Sequence, residues 1–496
     1  MHATLLIAFA LVYWAVAEPP IDQTPFKPVP MPEQPIADPL ITTDPEATPL
    51  PSVETPIEVT NKIVIEDPSV EPTAEELQTE SLIESKVPKG EDSVSDSTLG
   101  GVSFFAMIGA GNGAKGARGA RDGGGIHRAI GVGLGGPWTT RAIDASLDWF
   151  ARHQDPTGKW DPATYFQNCA DDAKCEPGNA GQSGAISAVT AYAMMTMVHA
   201  GNDHVTPSRY KKNVARAVQW LVANQQADGS WGRNYENAIV VMALAELVSM
   251  TNDLALAKVT QRGVDVILAR QNKDPAAKDP KYAGLGWDYE APGSRNDSSV
   301  TGWNVMALKS AMSAGLKVGN ALGDTKHWLD GAWKATNPDW QRLDPYGVSR
   351  FPYTWTTGTA SVDISAGPSM AGKDLACVGG LVAVFLGRKA GDPMVETLTN
   401  YAYANQKPAA WPTNTYYLYY NTLAMFQAGG DKWKGWVEML RTVVAPAQRK
   451  DGCHKGSWDW QGSQFHGHDT GRTLSTAYAT LAMESFFTWQ RIAAAQ

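Results

Sequence analysis

The sequence predicts an all-α protein: six helical hairpins closed into a ring, an α6/α6 toroid, behind a long N-terminal region that cannot build a core. Three observations predict it. A helix ending in Gln-x-x-x-Gly-x-Trp recurs, as RAVQWLVANQQADGSW at 216–231 and ASLDWFARHQDPTGKW at 145–160, while RGVDVILARQN sets Gln271 at the matching place of a degraded copy. From residue 139 onward, amphipathic helical stretches alternate with stretches that are apolar or small on nearly every face, the pattern of helices buried all round. There are six such pairs and no obvious polar capping repeats, which favours a stack closed on itself over an open solenoid.

Before the helices lie three segments of different composition. Residues 3–17, ATLLIAFALVYWAVA, are apolar and end in Ala15-Val16-Ala17, a small-x-small pattern suited to signal-peptidase cleavage. Their length falls short of the roughly 20 residues of a bilayer span, so 1–17 reads as a signal peptide, with a short membrane anchor as the alternative. Residues 18–98 hold 15 of the 31 prolines and 18 acidic residues against 4 lysines, a mixture that reads as a disordered acidic spacer. Residues 99–136 are glycine-rich. Within them Gly111-x-Gly113-x-x-Gly116 has the spacing of a dinucleotide-binding loop, yet more glycine follows where that motif needs a helix, so the stretch reads as a linker. Export follows from the first segment, to the periplasm, the cell envelope or the medium, with membrane association only through that segment. The net charge of −9 comes with no basic stripe, which excludes nucleic acid as a partner.

The toroid domain occupies 137–496. Its outer helices are predicted at 140–153, 208–225, 256–271, 324–335, 392–405 and 431–448, and its inner ones at 183–200, 236–250, 299–314, 374–387, 415–428 and 472–490. The four cysteines divide by context. Cys169 and Cys175 are near neighbours in one loop and read as a disulfide in an exported protein, and Cys377, in LACVGGLVAVFLG, reads as a buried thiol. Cys453 and His454, with His466-x-His468, form a donor cluster that would suit zinc, although no cofactor is required by the pattern.

The segments LDWFARHQDPTGKW, VQWLVANQQADGSW, NYENAIVVMALAE, SSVTGWNVMALKSA, TYYLYYNTLAMFQAGGDKWKGW and GRTLSTAYATLAME resemble the terpenoid cyclase and protein prenyltransferase superfamily, over residues 139–490. Closest in appearance are exported bacterial proteins with prenyltransferase and squalene-oxidase repeats, which are squalene-hopene cyclase-like. The resemblance implies that Gln154 and Gln225 tie one helix end to the next while Trp160 and Trp231 stack against them. It does not carry over the cyclase acid, because Asp-x-Asp-Asp is absent, nor the prenyltransferase zinc pair, because Asp374-x-x-Cys377 is one residue too long. A thioester domain is excluded too, since Cys-Gly-Glu-Gln does not occur.

Chemistry is therefore sought where the inner helices begin. Successive inner helices run the same way, so their first turns should meet around one mouth. Tyr235, Trp303, Tyr416, Tyr420 and Arg472 are the expected substrate-binding groups there, and Glu236, Asp297 and Asp469 the candidate acids and bases. Asp297 and Asp469 also stand where helix caps would stand. Three functions fit: an isoprenoid-handling or other apolar-substrate protein, a non-catalytic envelope scaffold, and a carbohydrate-active lyase or hydrolase using paired carboxylates with a small apolar or glycan ligand.

Overall fold

The computed structural model describes residues 136–170, 174–178, 185–280, 283–357, 362–363, 374–460 and 471–488. The expected signal segment, acidic spacer and glycine-rich linker, together with Asp469, His466 and His468, lie outside the described residues.

Twelve α-helices are present among the described residues. The outer set is α1 (Pro137–His153), α3 (Lys211–Ala223), α5 (Leu254–Ala269), α7 (Ala321–Thr336), α9 (Pro393–Asn405) and α11 (Gly430–Met439). The inner set is α2 (Ala185–His199), α4 (Asn234–Thr251), α6 (Ser298–Ser313), α8 (Ala376–Phe385), α10 (Thr415–Ala428) and α12 (Gly471–Thr488). Each inner helix packs on the next, α2 on α4, α4 on α6, and so on to α12, which packs on α2. The ring is closed. Every residue of α8, and Asn237–Met250 of α4, is buried, which is why these stretches carry apolar or small side chains on all sides.

The repeat residues build the joints. Gln154 donates through Nε2 to the Gly158 carbonyl at 2.8 Å and to the Asn213 carbonyl of the next outer helix at 2.9 Å. Gln225 does the same with Gly229 and Val259, and Gln271 with Leu285 and Ala321. Each Trp works backwards instead: the indole N–H of Trp160 donates to Phe150 O, Trp231 to Leu221 O and Trp287 to Ile267 O, all at 2.7–2.8 Å. These are carbonyls of the last turn of the preceding outer helix, which have no partner inside it. So the Trp caps one helix end and the Gln grips the next helix.

A further copy, Gln448 with Gly456 and Trp458, has a longer loop that hides it from the fixed spacing. Gln448 reaches the Ala142 carbonyl of α1 at 2.7 Å and so joins the last unit to the first. Two sequence expectations need correction. The outer stretch expected at 431–448 is not one α-helix: after Met439 it widens into a π turn, Leu440–Val444, then a 3-10 turn, Ala445–Ala447, where Pro446 has no N–H to continue the ladder. A small antiparallel sheet was also not expected, β1 (Arg295–Asp297) pairing with β2 (Thr354–Thr356) and β2 with β3 (Val362–Asp363). Strands of two or three residues leave no alternation to read.

Candidate functional site

The inner helices bring an aromatic cluster to the axis. Tyr416, Tyr419 and Tyr420 stand at i, i+3 and i+4, one face of α10. Against them lies Trp303 of α6, edge-on to Tyr420 at 5.4 Å between centroids and near-parallel to Tyr419 at 6.0 Å. Tyr192 of α2 meets Trp303 edge-on at 5.3 Å and shares a 2.9 Å hydroxyl contact with Tyr478 of α12. Trp303 donates its N–H to the Tyr235 hydroxyl at 3.0 Å. These separations are those at which aromatic quadrupoles attract. Burial pushes the hydroxyls of Tyr192, Tyr235, Tyr416 and Tyr420 well above their ordinary value, so they remain neutral.

The cluster has a deep part and a rim. Trp303, Tyr419 and Tyr420 are fully buried, while Tyr235, Tyr289 and Tyr353 are partly exposed. Tyr289 stacks on Tyr235 with 10° between planes and meets the Tyr353 hydroxyl at 3.2 Å. The hydroxyls of Tyr416 and Tyr420 are buried with no hydrogen bond of good geometry among the described residues. The expected binding residues Tyr235, Trp303, Tyr416 and Tyr420 are thus brought together.

The charged candidates are engaged in whole or in part. Glu236 pairs with Arg233 at 2.9 Å through Oε1, while its Oε2 is buried with no hydrogen-bond partner among the described residues. Asp297 caps α6: Oδ1 accepts from Ser299 N, Ser299 Oγ and Val300 N, and Oδ2 faces Arg295 at 3.2 Å. Burial raises its carboxyl above the usual range despite those donors, yet both oxygens are already addressed. Arg472 is 1% exposed and spans Ser457, Asp459 and Glu176, so it braces α12 and does not face the aromatic cluster's rim as a free cation. Asp374, at the start of α8, is held by Arg350 at 2.6 Å and by the Ala376 N–H.

Several members were missed in the sequence. Tyr192 and Tyr478 both sit in Thr-Ala-Tyr-Ala, at 190–193 and 476–479, and the Thr of each accepts a backbone N–H from a repeat Trp, Thr190 from Trp160 and Thr476 from Trp458. That shared tetrapeptide was the available signal. Tyr289 and Tyr353 lie in loops and carried none. A buried ionic node was missed as well: His199 of α2 lies 2.7 Å from Glu246 of α4 and 3.8 Å from Glu484 of α12.

The cysteines depart from expectation. Cys169 and Cys175 are not bridged; both are free thiols facing His153 and Cys453. The loop turns both sulfurs inward beneath α1, where Cys175 N–H donates to Cys169 Sγ at 3.3 Å. Cys453 joins them, whereas His454, expected as its fellow donor, turns to Glu176 at 3.3 Å. This buried His and three Cys could hold a metal. Cys377 is a buried thiol, as expected.

Comparison with known proteins fits this architecture. Residues 129–239 match the family described as the squalene-hopene cyclase C-terminal domain. A solved type II terpene cyclase from Scytonema, in complex with geranylgeranyl dihydroxybenzoate, is similar over 73% of this chain and 99% of its own, with 10% identity and a TM-score of 0.41. The fold is an α/α toroid, and the part of it within residues 129–239 is similar to the squalene-hopene cyclase C-terminal domain. Other solved toroids are similar to the same extent: an alpha-1,6-mannanase from Salegentibacter sp. HEL1_6 at 9% identity, covering 70% of this chain and 98% of that one with a TM-score of 0.47, and an alpha-amylase from Clostridium perfringens at 9% identity, covering 70% and 97% with a TM-score of 0.46. No curated protein sequence matches the chain.

Proposed function

We propose that the toroid binds an apolar chain of the isoprenoid class, seated on the rim tyrosines Tyr235, Tyr289 and Tyr353 and directed toward Trp303 and Tyr420. The observation that carries this is the aromatic cluster itself: large, mutually packed ring faces contributed by the inner helices α2, α4, α6, α10 and α12, with neutral hydroxyls. Ring faces and edges offer apolar contact, and the buried hydroxyls of Tyr416 and Tyr420 would donate to the oxygen of an isoprenoid alcohol. Binding without cyclisation is favoured. Protonating an alkene needs a carboxylic acid with a free O–H directed at the substrate, while Asp297 and Asp374 spend their oxygens on helix caps and arginines, and Glu236, whose Oε2 alone is unpartnered, is held by Arg233 through Oε1. Export through 3–17 belongs to the same reading and predicts a mature N-terminus after Ala17, readable by mass spectrometry of protein from the secreted fraction.

The test is a thermal shift of the full chain with geranylgeraniol, and with mannotetraose as the sugar arm. The prenyl alcohol should raise Tm, and Trp303→Ala should abolish the rise. No response to the prenyl alcohol, or a response to the sugar that survives in Trp303→Ala, would refute the proposal.

A further inference from the structure

The four residues His153, Cys169, Cys175 and Cys453 come from three separate parts of the chain: the last turn of α1, the loop after it, and the loop 452–457 before α12. All four are buried, and their donor atoms lie within 4.8 Å of one another. We propose that they form a structural zinc site that clasps the first unit of the ring to the last.

Geometry carries the assignment. Tetrahedral zinc with bonds of about 2.3 Å to sulfur and about 2.0–2.1 Å to nitrogen places its nitrogen and sulfur donors about 3.5 Å apart. His153 Nε2 lies 3.1 Å from Cys453 Sγ, 3.2 Å from Cys169 Sγ and 3.7 Å from Cys175 Sγ, on either side of that value. The imidazole is oriented for the task. Its Nδ1–H donates to the Trp149 carbonyl at 2.7 Å, which leaves the Nε2 lone pair directed at the three sulfurs. Trp149 stacks on the ring at 4.5 Å and fixes its plane. The Cys175 N–H on Cys169 Sγ is the kind of outer contact that steadies a thiolate.

The alternative fits less well. A disulfide would consume two of the three sulfurs and leave the Nε2 lone pair without a donor beyond the remaining thiol. Zinc satisfies all four donors, with three thiols losing their protons to solvent as the metal binds. The resulting site carries one net negative charge. With four protein donors no position is open for substrate or water, so the role is structural. The seam it spans is also crossed by Gln448 to Ala142 O and by Arg152 to Lys455 O. The proposal is independent of what the axis binds.

Metal analysis of the full chain, purified without added metal, should give one zinc per chain. Replacement by Co(II) should produce thiolate-to-cobalt charge transfer and the strong visible bands of tetrahedral cobalt, a readout that needs no variant. Cys169→Ser and Cys453→Ser should lose most of the zinc, while His153→Cys should keep it and Cys377→Ser should hold the full equivalent. A metal-free protein with a mapped disulfide between any two of Cys169, Cys175 and Cys453 would overturn the proposal. So would stoichiometric iron in place of zinc, octahedral cobalt bands, or full zinc content in folded Cys169→Ser.

Discussion

Gly158 shows how narrowly single positions are set in this ring. Its φ is +104°, a region that side chains rarely adopt, and a Cβ built on it would lie 2.2 Å from the Arg216 carbonyl oxygen of the next outer helix. Gly229, its counterpart one unit on, has φ +93°, but there the Cβ would stand 3.0 Å from the Arg262 oxygen. Backbone strain is common to both, at about 1–3 kcal/mol, and the clash belongs to Gly158 alone. Gly158→Ala should therefore lower the urea midpoint more than Gly229→Ala, and equal losses would mean that the approach to Arg216 is not tight. Lys309 offers a test of charge. It is 4% exposed on an inner helix, and burial, with Lys326 adding to it, lowers its ammonium to about 7. The unfolded chain holds that proton up to about 10.4, so between the two values the unfolded state binds more protons and stability rises with pH. Lys309→Met should thus gain stability relative to the parent at pH 7, where the parent carries the cost of the lowered ammonium. The gain should shrink steadily as pH is raised toward 10. A difference between variant and parent that does not change over pH 7–10 would show that Lys309 is not titrating in this window.

At the scale of the element, what holds each hairpin is a pair of side chains doing what the helix backbone cannot. Trp231→Phe keeps an aromatic ring in the fully buried slot, though a smaller one, and removes the N–H that donates to Leu221 O at 2.7 Å. Leu221 O keeps only the long 3.2 Å bond from Asn224 N–H, so losing the indole donor should cost about 1 kcal/mol, measured by equilibrium denaturation, and a loss near zero would reduce the indole to a space filler. These elements were legible in the sequence because the physics behind them is local. Helical period, all-round apolarity and the Gln-x-x-x-Gly-x-Trp spacing fix eleven of the twelve helices to within a few residues, the stretch at 431–448 being the exception, and even the degraded copy at Gln271 keeps both of its bonds. What was not legible depends on distance along the chain. His153 and Cys453 are 300 residues apart, so nothing near Cys453 could name its neighbours, and His454 was the nearer guess. The Gln448 copy escaped because its loop is longer, although the same two bonds form. Of the mouth, the aromatic members on inner helices could be anticipated, since helix starts converge. The engagement of Glu236 by Arg233 and of Asp297 by its own helix could be weighed only once the partners were placed.

For the whole molecule the decisive property is closure. In an open solenoid each unit touches only its neighbours, so terminal units fray and a substitution there costs less than one in the middle. In this ring α12 packs on α2, Thr480 of α12 donates to Ser146 of α1 at 2.9 Å, and Gln448 makes the same two bonds across the seam that Gln225 makes within the stack. The seam should then be no weaker than any other joint. Gln448→Ala and Gln225→Ala each remove donors from two backbone carbonyls, at a cost of about 1–3 kcal/mol. If the ring is closed in solution both losses should be of that size, and in the double variant they should add within about 0.5 kcal/mol, as for independent sites. Both variants should unfold in one transition with an unchanged dependence on denaturant. A Gln448→Ala loss near zero, or an early transition confined to the first and last helices, would mean that the units open at the seam. The two substitutions must be compared in protein with the same metal content, because a zinc clasp beside Gln448 would hold the seam shut and mask the loss of its bonds.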